Sequence, residues 1–243
     1  MNSEDNNKDD WDLLYQQGNE NYLFYPDEGI IRFFSRHIRK KTGHDRFVDH
    51  IPNLGQAKIL DVGCGLGRHL KYLLDLGFDP YGMDLSGHAI AMARHWLTQA
   101  GLKRCEERIL ECDARSLPFA DHFFDHAISH AALDDMRFSI AQQAVVEIHR
   151  VLKPGGYLYC DLYSDVDSGL ELGFTGEMEV DKGGGNSIVR FYFNQNSINL
   201  LFSRYFLIKE MTLARFEEVL AQRYWSRWHV VLQSKSISSP GES

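Results

Sequence analysis

The sequence predicts an α/β fold in which helices cover both faces of a mostly parallel sheet. Three observations predict it. Short apolar runs alternate with amphipathic stretches from about residue 55 onward, a glycine-rich turn follows the first run, and Lys-Pro-Gly-Gly ends a helical stretch at residues 153–156. Alternation of this kind requires right-handed crossovers, which make the strands parallel and place helices on either side of them.

The apolar runs supply five predicted parallel strands. They are Lys58–Val62, Pro80–Leu85, Arg108–Cys112, Phe124–Ser129 and Tyr157–Tyr163. The stretches between them predict helices over Arg68–Leu76, Gly87–Ala100 and Phe138–Leu152. Two further strands, Phe206–Leu213 and Trp225–Gln233, have no helix between them, so we expect an antiparallel pair at an edge of the sheet.

The segments that flank this pattern are expected to form other structures. Trp11–Thr42 has helical spacing of its apolar residues, with Asp27 as the N-cap of a helix. Alternating residues around a glycine turn predict a β-hairpin at about 174–194, inserted after the fifth strand. The chain therefore divides into an N-terminal segment (1–50), a main domain (51–235) and a flexible tail (236–243).

Composition disfavours several functional classes. The 243 residues carry a formal charge of −8, which opposes non-specific binding to nucleic acid. No apolar stretch approaches the roughly 18 residues of a membrane span, and the first residues are polar and acidic, unlike a signal peptide. The cysteines form no C-x-x-C pair, and we expect no metal site. We expect a cytoplasmic protein with neither a membrane nor a nucleic-acid partner.

The glycine-rich turn after the first strand points to a ligand site. Gly63, Gly65 and Gly67 follow a G-x-G-x-G spacing, whereas the dinucleotide fingerprint is G-x-G-x-x-G, and Arg68 stands in the place of its last glycine. Asp61 lies two residues before the first glycine. Its carboxylate would repel a pyrophosphate but suits a ligand that carries an ammonium and a sulfonium.

Two more acids follow the next two predicted strands. Asp84 lies 17 positions after Gly67, the setting for a carboxylate that accepts hydrogen bonds from both ribose hydroxyls. Asp113 is placed to receive an adenine amine. One such acid alone is as readily an N-cap or turn residue. Three acids at successive strand ends beside a glycine turn favour a nucleoside site.

An ordered set of motifs, spread over about residues 55–234, resembles the class I S-adenosylmethionine-dependent methyltransferases, most of all their small-molecule, type 11-like branch. The motifs are DVGCGLGRH, GMDLS, ECDARSLPFADHFFDHAIS and EIHRVLKPGGYLYCDLY. The resemblance implies a Rossmann-like, seven-stranded sheet whose last strand is antiparallel, and a helical lid formed by the N-terminal segment. It implies S-adenosyl-L-methionine as cofactor and S-adenosyl-L-homocysteine as product.

The resemblance also assigns residues to the cofactor. Asp61 and Gly63 would lie by the methionine portion, Asp84 on the ribose, and Asp113 with Ala114 at the adenine. The full set of expected cofactor-binding residues is Asp61, Gly63, Cys64, Gly65, Gly67, Asp84, Leu85, Asp113, Ala114, Ser129 and His130.

Catalysis by a general base is left open. His130 and Asp134, after the fourth strand, are the candidates, because an imidazole titrates near neutral pH and a carboxylate can accept a proton. His130 equally fits a packing role against the adenosine. Asp134 and Asp135 more readily cap the next helix or face solvent.

Aromatic residues of two overhanging segments are candidates for the wall of a substrate pocket. They are Tyr15, Tyr25 and Tyr192, for which packing of the lid and hairpin onto the core is an equal alternative.

The leading function is methyl transfer by direct displacement to a small-molecule acceptor. An NAD(P)-dependent oxidoreductase shares the strand–glycine–helix turn and Asp84, but neither the glycine spacing nor Asp61. A third reading is a methyltransferase-like protein that binds S-adenosylmethionine without catalysis. The acceptor, the atom methylated and the oligomeric state stay open.

Overall fold

The structure is a computed structural model that describes residues 8–18, 24–183 and 186–236. Residues 1–7 of the N-terminal segment and residues 237–243 of the predicted flexible tail (236–243) lie outside them. In chain order the helices are α1 (Lys8–Gln16), α2 (Glu28–Phe33), α3 (Arg68–Asp75), α4 (Gly87–Gln99), α5 (Cys105–Arg108), α6 (Phe138–Val151) and α7 (Gln195–Phe202). The strands are β1 (Arg39–Lys41), β2 (Phe47–Asp49), β3 (Lys58–Val62), β4 (Asp79–Asp84), β5 (Ile109–Glu111), β6 (Phe124–His130), β7 (Leu152–Tyr163), β8 (Gly176–Gly183), β9 (Asn186–Tyr192), β10 (Phe206–Glu218) and β11 (Arg223–Ser234).

The main sheet has seven strands in the order β10-β11-β7-β6-β3-β4-β5. From β7 to β5 every pair is parallel, whereas β11 is antiparallel to both β7 and β10. The prediction of a mostly parallel sheet with an antiparallel last strand is confirmed. The expected antiparallel pair at an edge of the sheet is confirmed as well: it consists of β10 and β11, and because β11 lies inside β10, the edge strand β10 runs in the common direction.

Helices cover both faces of this sheet, as the alternation of side chains in β3 requires. Leu60 and Val62 join a buried cluster that includes residues of α6 and α7. Ile59, one residue away, joins a second cluster on the other face with residues of α2 and α3. Successive side chains of a strand point to opposite faces, so a strand buried on both sides needs apolar residues at consecutive positions.

The N-terminal segment departs from the continuous helical pattern expected for Trp11–Thr42. Helix α1 is separate from α2, and α2 continues into a π-helical turn that ends at Ile38, the last buried apolar residue of this face. Arg39 then begins a small antiparallel pair, β1 with β2. Its guanidinium donates to both Asp49 oxygens (2.5 and 2.8 Å) and to the Leu76 carbonyl (2.9 Å), contacts that a longer helix would forfeit.

Helix α2 begins where the sequence predicts. The Asp27 side chain accepts the Gly29 N–H at 2.7 Å, which satisfies one of the free donors of the first turn.

A hairpin of β8 and β9 lies between β7 and α7. It projects over the carboxyl ends of the parallel strands, where its residues meet those of α1.

The burial of α2 against the sheet makes the N-terminal segment part of the folded core. Phe34 is fully buried and packs on the rings of Phe33, Tyr72 and Phe78. We expect Phe34→Ala to lower the free energy of unfolding by about 3–5 kcal/mol, because it opens a cavity in this cluster. Ile31→Ala, at a largely exposed position of the same helix, should cost less than about 1 kcal/mol. Urea denaturation followed by circular dichroism measures both; equal losses would contradict the packing.

Candidate functional site

The turn after β3 has a backbone that only glycine adopts easily. Gly63, Gly65 and Gly67 have φ values of 73°, 51° and 78°. The N–H groups of Gly63 and Cys64 both donate to the Met83 carbonyl at 2.9 Å, which fastens the turn to the end of β4.

Two of these glycines also allow close approach of other groups. A Cβ on Gly65 would stand 2.6 Å from the Tyr15 hydroxyl, and one on Gly63 would stand 2.4 Å from the Ala132 side chain. Gly67 differs, since a Cβ there would meet Leu97 of α4 at 2.8 Å. Gly67 therefore allows the packing of α4, Gly63 allows the approach of Ala132, and Gly65 allows the approach of Tyr15.

Asp61 is a fully buried carboxylate without a hydrogen bond. Neither of its oxygens accepts one from the residues that the structure describes. The His69 imidazole is near, with Nδ1 3.6 Å from Asp61 Oδ2. A buried carboxylate with unsatisfied oxygens is costly, and an ammonium group of a ligand would relieve that cost.

Asp84 ends β4 beside the turn and is held in place by backbone donors. Its oxygens accept the N–H groups of Gly65 and Ser86 at 2.8 and 2.9 Å. Burial raises the pKa of Asp84 to about 6, although these hydrogen bonds act in the other direction. The carboxylate is ionised at neutral pH and ready to accept donors from a ligand.

Asp113 follows β5, so the acids Asp61, Asp84 and Asp113 follow or end three adjacent strands, β3, β4 and β5. Burial raises the pKa of Asp113, but hydrogen bonds from the side chain and backbone of Arg115 outweigh it and hold that pKa below its ordinary value. The three carboxylates thus share one edge of the sheet, as the sequence predicts.

Two adjoining clefts open above this edge. The first cleft encloses about 670 Å³ to its mouth and is lined by Asp84, Leu85, Asp113, Ala114 and Met136, among others. The second cleft encloses about 820 Å³ and is lined by Cys64, Gly65, Arg68, His130 and Arg190, among others. Residues that line both are Trp11, Tyr15, Gly63, Ala131 and Asp135.

Helix α1 supplies the wall that the clefts share. Its Asp12 accepts hydrogen bonds from the Ser86 hydroxyl (2.5 Å) and the His88 N–H (3.0 Å), at the start of α4. This attachment holds Trp11 and Tyr15 over the glycine turn.

Not all predicted site residues reach the clefts. Asp61, Gly67 and Ser129 lie behind the turn and line neither cleft, and the Ser129 hydroxyl is buried without a partner among the described residues. Tyr25 is 81% exposed and also lines neither. Tyr192 is buried and packs on Tyr163 and Phe174. The packing alternative therefore describes Tyr192.

The expectation that Asp134 and Asp135 cap a helix or face solvent is wrong. Asp134 is fully buried, accepts the Tyr163 N–H at 2.9 Å and pairs with Arg227 Nη2 at 2.8 Å. Burial raises the pKa of Asp134 to about 7. Asp135 is held by two hydrogen bonds from Arg190, at 2.6 and 3.1 Å. Both acids are buried because they pair with arginines of β9 and β11, which are distant in the sequence.

Arg227 pairs with a second buried acid, Asp161, at 2.5 Å. Burial acts to raise the pKa of Asp161, but the Arg227 charge holds it well below its usual range. The Tyr163 ring lies between two guanidiniums, with Arg190 and Arg227 centred 3.7 and 4.1 Å from it.

Sequence reasoning missed these cations because their partners are 55 or more positions away. One signal existed for Arg190: it lies two residues from Tyr192, and therefore on the same face of a hairpin already expected to overhang the site.

His130 forms part of the wall of the second cleft. Its Nε2 lies 3.2 Å from both Arg68 Nη2 and Asp27 Oδ2, and its Nδ1 lies 3.5 Å from Asp161 Oδ1. Burial lowers the pKa of His130 to about 4, against the pull of Asp161, so the ring is neutral at pH 7. Both ring nitrogens face protein groups.

Comparison with known proteins identifies the domain that builds this site. A family model described as a methyltransferase domain matches residues 60–160. Malonyl-[acyl-carrier protein] O-methyltransferase of Enterobacter lignolyticus is 31% identical over 119 residues, 49% of this chain and 44% of that protein. Residues 60–160 therefore match a methyltransferase domain, and the chain spans less than half the length of this curated relative.

Two solved structures resemble this chain over most of its length. One is a SAM-dependent methyltransferase from Methanosarcina mazei, with TM-score 0.62, 22% identity, and coverage of 78% of this chain and 100% of that one. The other is a 1,6-didemethyltoxoflavin-N1-methyltransferase from Burkholderia thailandensis with its substrate and S-adenosylhomocysteine bound. Its TM-score is 0.64 at 16% identity, covering 94% of this chain and 87% of that one. At these identities the likeness shows the fold alone.

Among the described residues, no helix is long and apolar enough to cross a membrane. Within the same ranges, no three or more His, Cys, Asp or Glu side chains are grouped as a metal site requires.

The closeness of Tyr15 to the turn gives a test of the site. We expect Gly65→Ala to weaken S-adenosylhomocysteine binding at least about tenfold, because the new Cβ displaces the Tyr15 ring and strains a left-handed backbone. Gly101→Ala is the matched control, since its φ is 97° and nothing lies within 4 Å of the new Cβ. Calorimetric titration of both variants measures the difference; equal affinities would contradict this view of the turn.

Proposed function

We propose that this protein is an S-adenosylmethionine-dependent methyltransferase that methylates a small-molecule acceptor. The observation that carries the proposal is the buried Asp61 carboxylate, which accepts no hydrogen bond from the described residues and lies behind the glycine turn. A cationic group must reach it for the charge to be compensated, and the amino group of this cofactor is such a cation.

The match with the curated relative covers less than half of that protein, so activity and acceptor are inferred from the domain and its site. The relative is named for O-methylation of malonyl-[acyl-carrier protein], and the Burkholderia neighbour for N1-methylation of 1,6-didemethyltoxoflavin. The name of the Burkholderia neighbour, together with a net charge of −8, favours a small acceptor over a nucleic acid. We also propose a cytoplasmic location.

The residues present fit the cofactor. Asp61 would hold its ammonium, Asp84 the ribose hydroxyls, and Asp113 with Ala114 the adenine. The other residues proposed for contact with it are Gly63, Cys64, Gly65, Leu85, Ser129 and His130. When bound, S-adenosylmethionine supplies an electrophilic methyl group whose sulfur departs as a neutral thioether.

The residues of the chain position the two reactants and exclude water from them. Trp11 and Tyr15 cover the turn from the side of α1, and the second cleft receives the acceptor next to the first. Displacement at a methyl carbon needs the nucleophile aligned and close, and enclosure contributes by keeping water from that carbon.

The two alternative functions, an NAD(P)-dependent oxidoreductase and a non-catalytic binding protein, fit the site less well. A nicotinamide dinucleotide would bring its pyrophosphate to the turn, where the buried Asp61 carboxylate would repel it. A non-catalytic binding protein has no need of the second cleft.

The binding roles of Asp61 and Asp84 can be distinguished with a ligand that lacks the amino-acid portion. We expect Asp61→Asn to weaken S-adenosylhomocysteine binding by about 1.5–3 kcal/mol, the worth of a charged hydrogen bond, and to leave methylthioadenosine, which lacks the amino acid, unaffected. Asp84→Asn should weaken both ligands, because both carry the ribose. Isothermal calorimetry measures the four affinities. Tight binding of NAD, or equal effects of Asp61→Asn on the two ligands, would contradict the proposal.

Binding should also depend on pH through Asp84. Its ionised form accepts the ribose hydroxyls, so the affinity for methylthioadenosine should be lost as pH falls through about 6. The limiting slope is about tenfold per pH unit. Affinities measured between pH 7.5 and 5 test this, with Asp84→Asn as the control whose profile should be flatter. A wild-type profile as flat as that of the variant would show that Asp84 does not bind the ligand as a carboxylate.

A further inference from the structure

We propose that His69 is a positioning residue for the cofactor. The start of α2 fixes the tautomer of its imidazole ring, and the ring then presents an N–H to Asp61, whose carboxylate it orients for the ammonium group of S-adenosylmethionine. This role rests on the proposed function, because Asp61 is the residue that would bind that ammonium group.

His69 lies between the glycine turn and the start of α2. It is the second residue of α3, two positions after the last glycine of the turn, and only 4% of its surface is exposed. It lines the second cleft. Its ring stacks on that of His130, with the ring centres 5.2 Å apart and 21° between the planes. Burial and stacking together restrict the orientation of the ring.

A backbone donor of the N-terminal segment determines which nitrogen of this ring carries the proton. The Asp27 N–H donates to His69 Nε2 at 3.4 Å, so Nε2 offers its lone pair. In a neutral imidazole the other nitrogen is then the protonated one, which for His69 is Nδ1. Asp27 is itself fixed as the N-cap of α2, since its side chain accepts the Gly29 N–H.

The protonated nitrogen faces the buried acid. Nδ1 lies 3.6 Å from Asp61 Oδ2, a separation longer than a hydrogen bond. The N–H dipole therefore attracts and orients the carboxylate, while neither oxygen is occupied by a hydrogen bond from the described residues. Because Asp61 is fully buried, this attraction acts in surroundings of low dielectric constant and is stronger than it would be in water.

The bond from Asp27 also keeps His69 from neutralising Asp61. A second ring proton would have to lie on Nε2, where it would point at the Asp27 N–H. The ring is thereby held as a neutral donor. An imidazolium in its place would compensate the Asp61 charge and compete with the ammonium group of the cofactor. The start of α2 thus preserves the negative charge on which cofactor binding depends.

Three substitutions distinguish this role from simple packing. His69→Phe keeps a ring but removes both nitrogens, His69→Asn keeps a donor near the position of Nδ1, and His69→Gln keeps a polar group near that of Nε2. We expect His69→Phe and His69→Gln to weaken S-adenosylhomocysteine binding about three- to tenfold, the effect of losing one hydrogen-bond donor, and His69→Asn to bind nearly as wild type does. Methylthioadenosine, which lacks the amino acid, should bind wild type and all three variants equally. Isothermal calorimetry measures these affinities.

His126→Phe is the matched control. His126 is also buried and also accepts a backbone N–H, that of Tyr157 at 3.0 Å, but it lines neither cleft. Its substitution should leave the affinities for both ligands unchanged. If His69 only packs, His69→Phe will be tolerated better than His69→Asn, or both ligands will bind more weakly together. Either result would overturn the proposal.

A double variant tests whether His69 acts through Asp61. Once Asp61 is replaced by asparagine, His69→Phe should cause no further loss of affinity for S-adenosylhomocysteine. A full additional loss would show that His69 acts independently of Asp61 and would overturn the proposal. The proposed function fails if Asp61→Asn alone leaves that affinity unchanged. If Asp61→Asn weakens binding and the His69 variants do not, only the role of His69 fails.

The tautomer itself is measured by NMR. Long-range proton–nitrogen correlation spectra of protein with isotopically labelled histidine should show His69 with a protonated Nδ1 and a bare Nε2. Its signals are assigned by their absence in His69→Phe. A proton on Nε2 at neutral pH, alone or together with one on Nδ1, would show that α2 does not fix the ring and would overturn the proposal.

Discussion

The arrangement depends on a negative charge that the protein itself does not neutralise. Asp61 is buried at the end of β3, and neither oxygen receives a hydrogen bond from the described residues. Burial without compensation costs several kcal/mol for an isolated carboxylate. The glycine turn with its left-handed backbone lies in front of it, and in the proposed function the ammonium of the cofactor is the missing partner. Asp84, tied to the same turn through the Gly65 N–H, links the second acid to that geometry.

A second set of buried charges, by contrast, is completed within the chain. Arg227 on β11 joins Asp134 and Asp161, and Arg190 on β9 joins Asp135. Removing one partner of such a pair costs about 3–5 kcal/mol, because the other charge is left buried alone. These pairs connect the hairpin and the last strand to the segment after β6. Asp135 and Arg190 also line the second cleft, so their pairing holds part of its wall in place.

The centre of the sheet could be predicted from the sequence because β3 and β6 are buried at most positions and are therefore rich in apolar residues. Lys58–Val62 was predicted and found with the same ends. The end of the N-terminal helical segment could not be predicted, since it depends on the bond from Arg39 to Asp49, ten residues away.

The same distinction holds within the site. Asp84 and Asp113 were predictable because short-range spacing from the glycine turn and strand ends places them, and the shared edge of the sheet brings them together. The inward position of Asp134 and Asp135 was not, because it depends on arginines from β9 and β11 that no local pattern connects to them. Tyr25 shows the opposite limit: its residue type suggested a pocket wall, but only the course of the chain before α2 decides that it faces solvent.

The most direct test of the central claim is a crystal structure of the protein with S-adenosylhomocysteine. The account predicts the amino group within hydrogen-bond distance of the Asp61 carboxylate and the ribose hydroxyls on Asp84. A ligand bound away from the carboxyl ends of β3 and β4, or one whose amino group leaves Asp61 still without a partner, would contradict it.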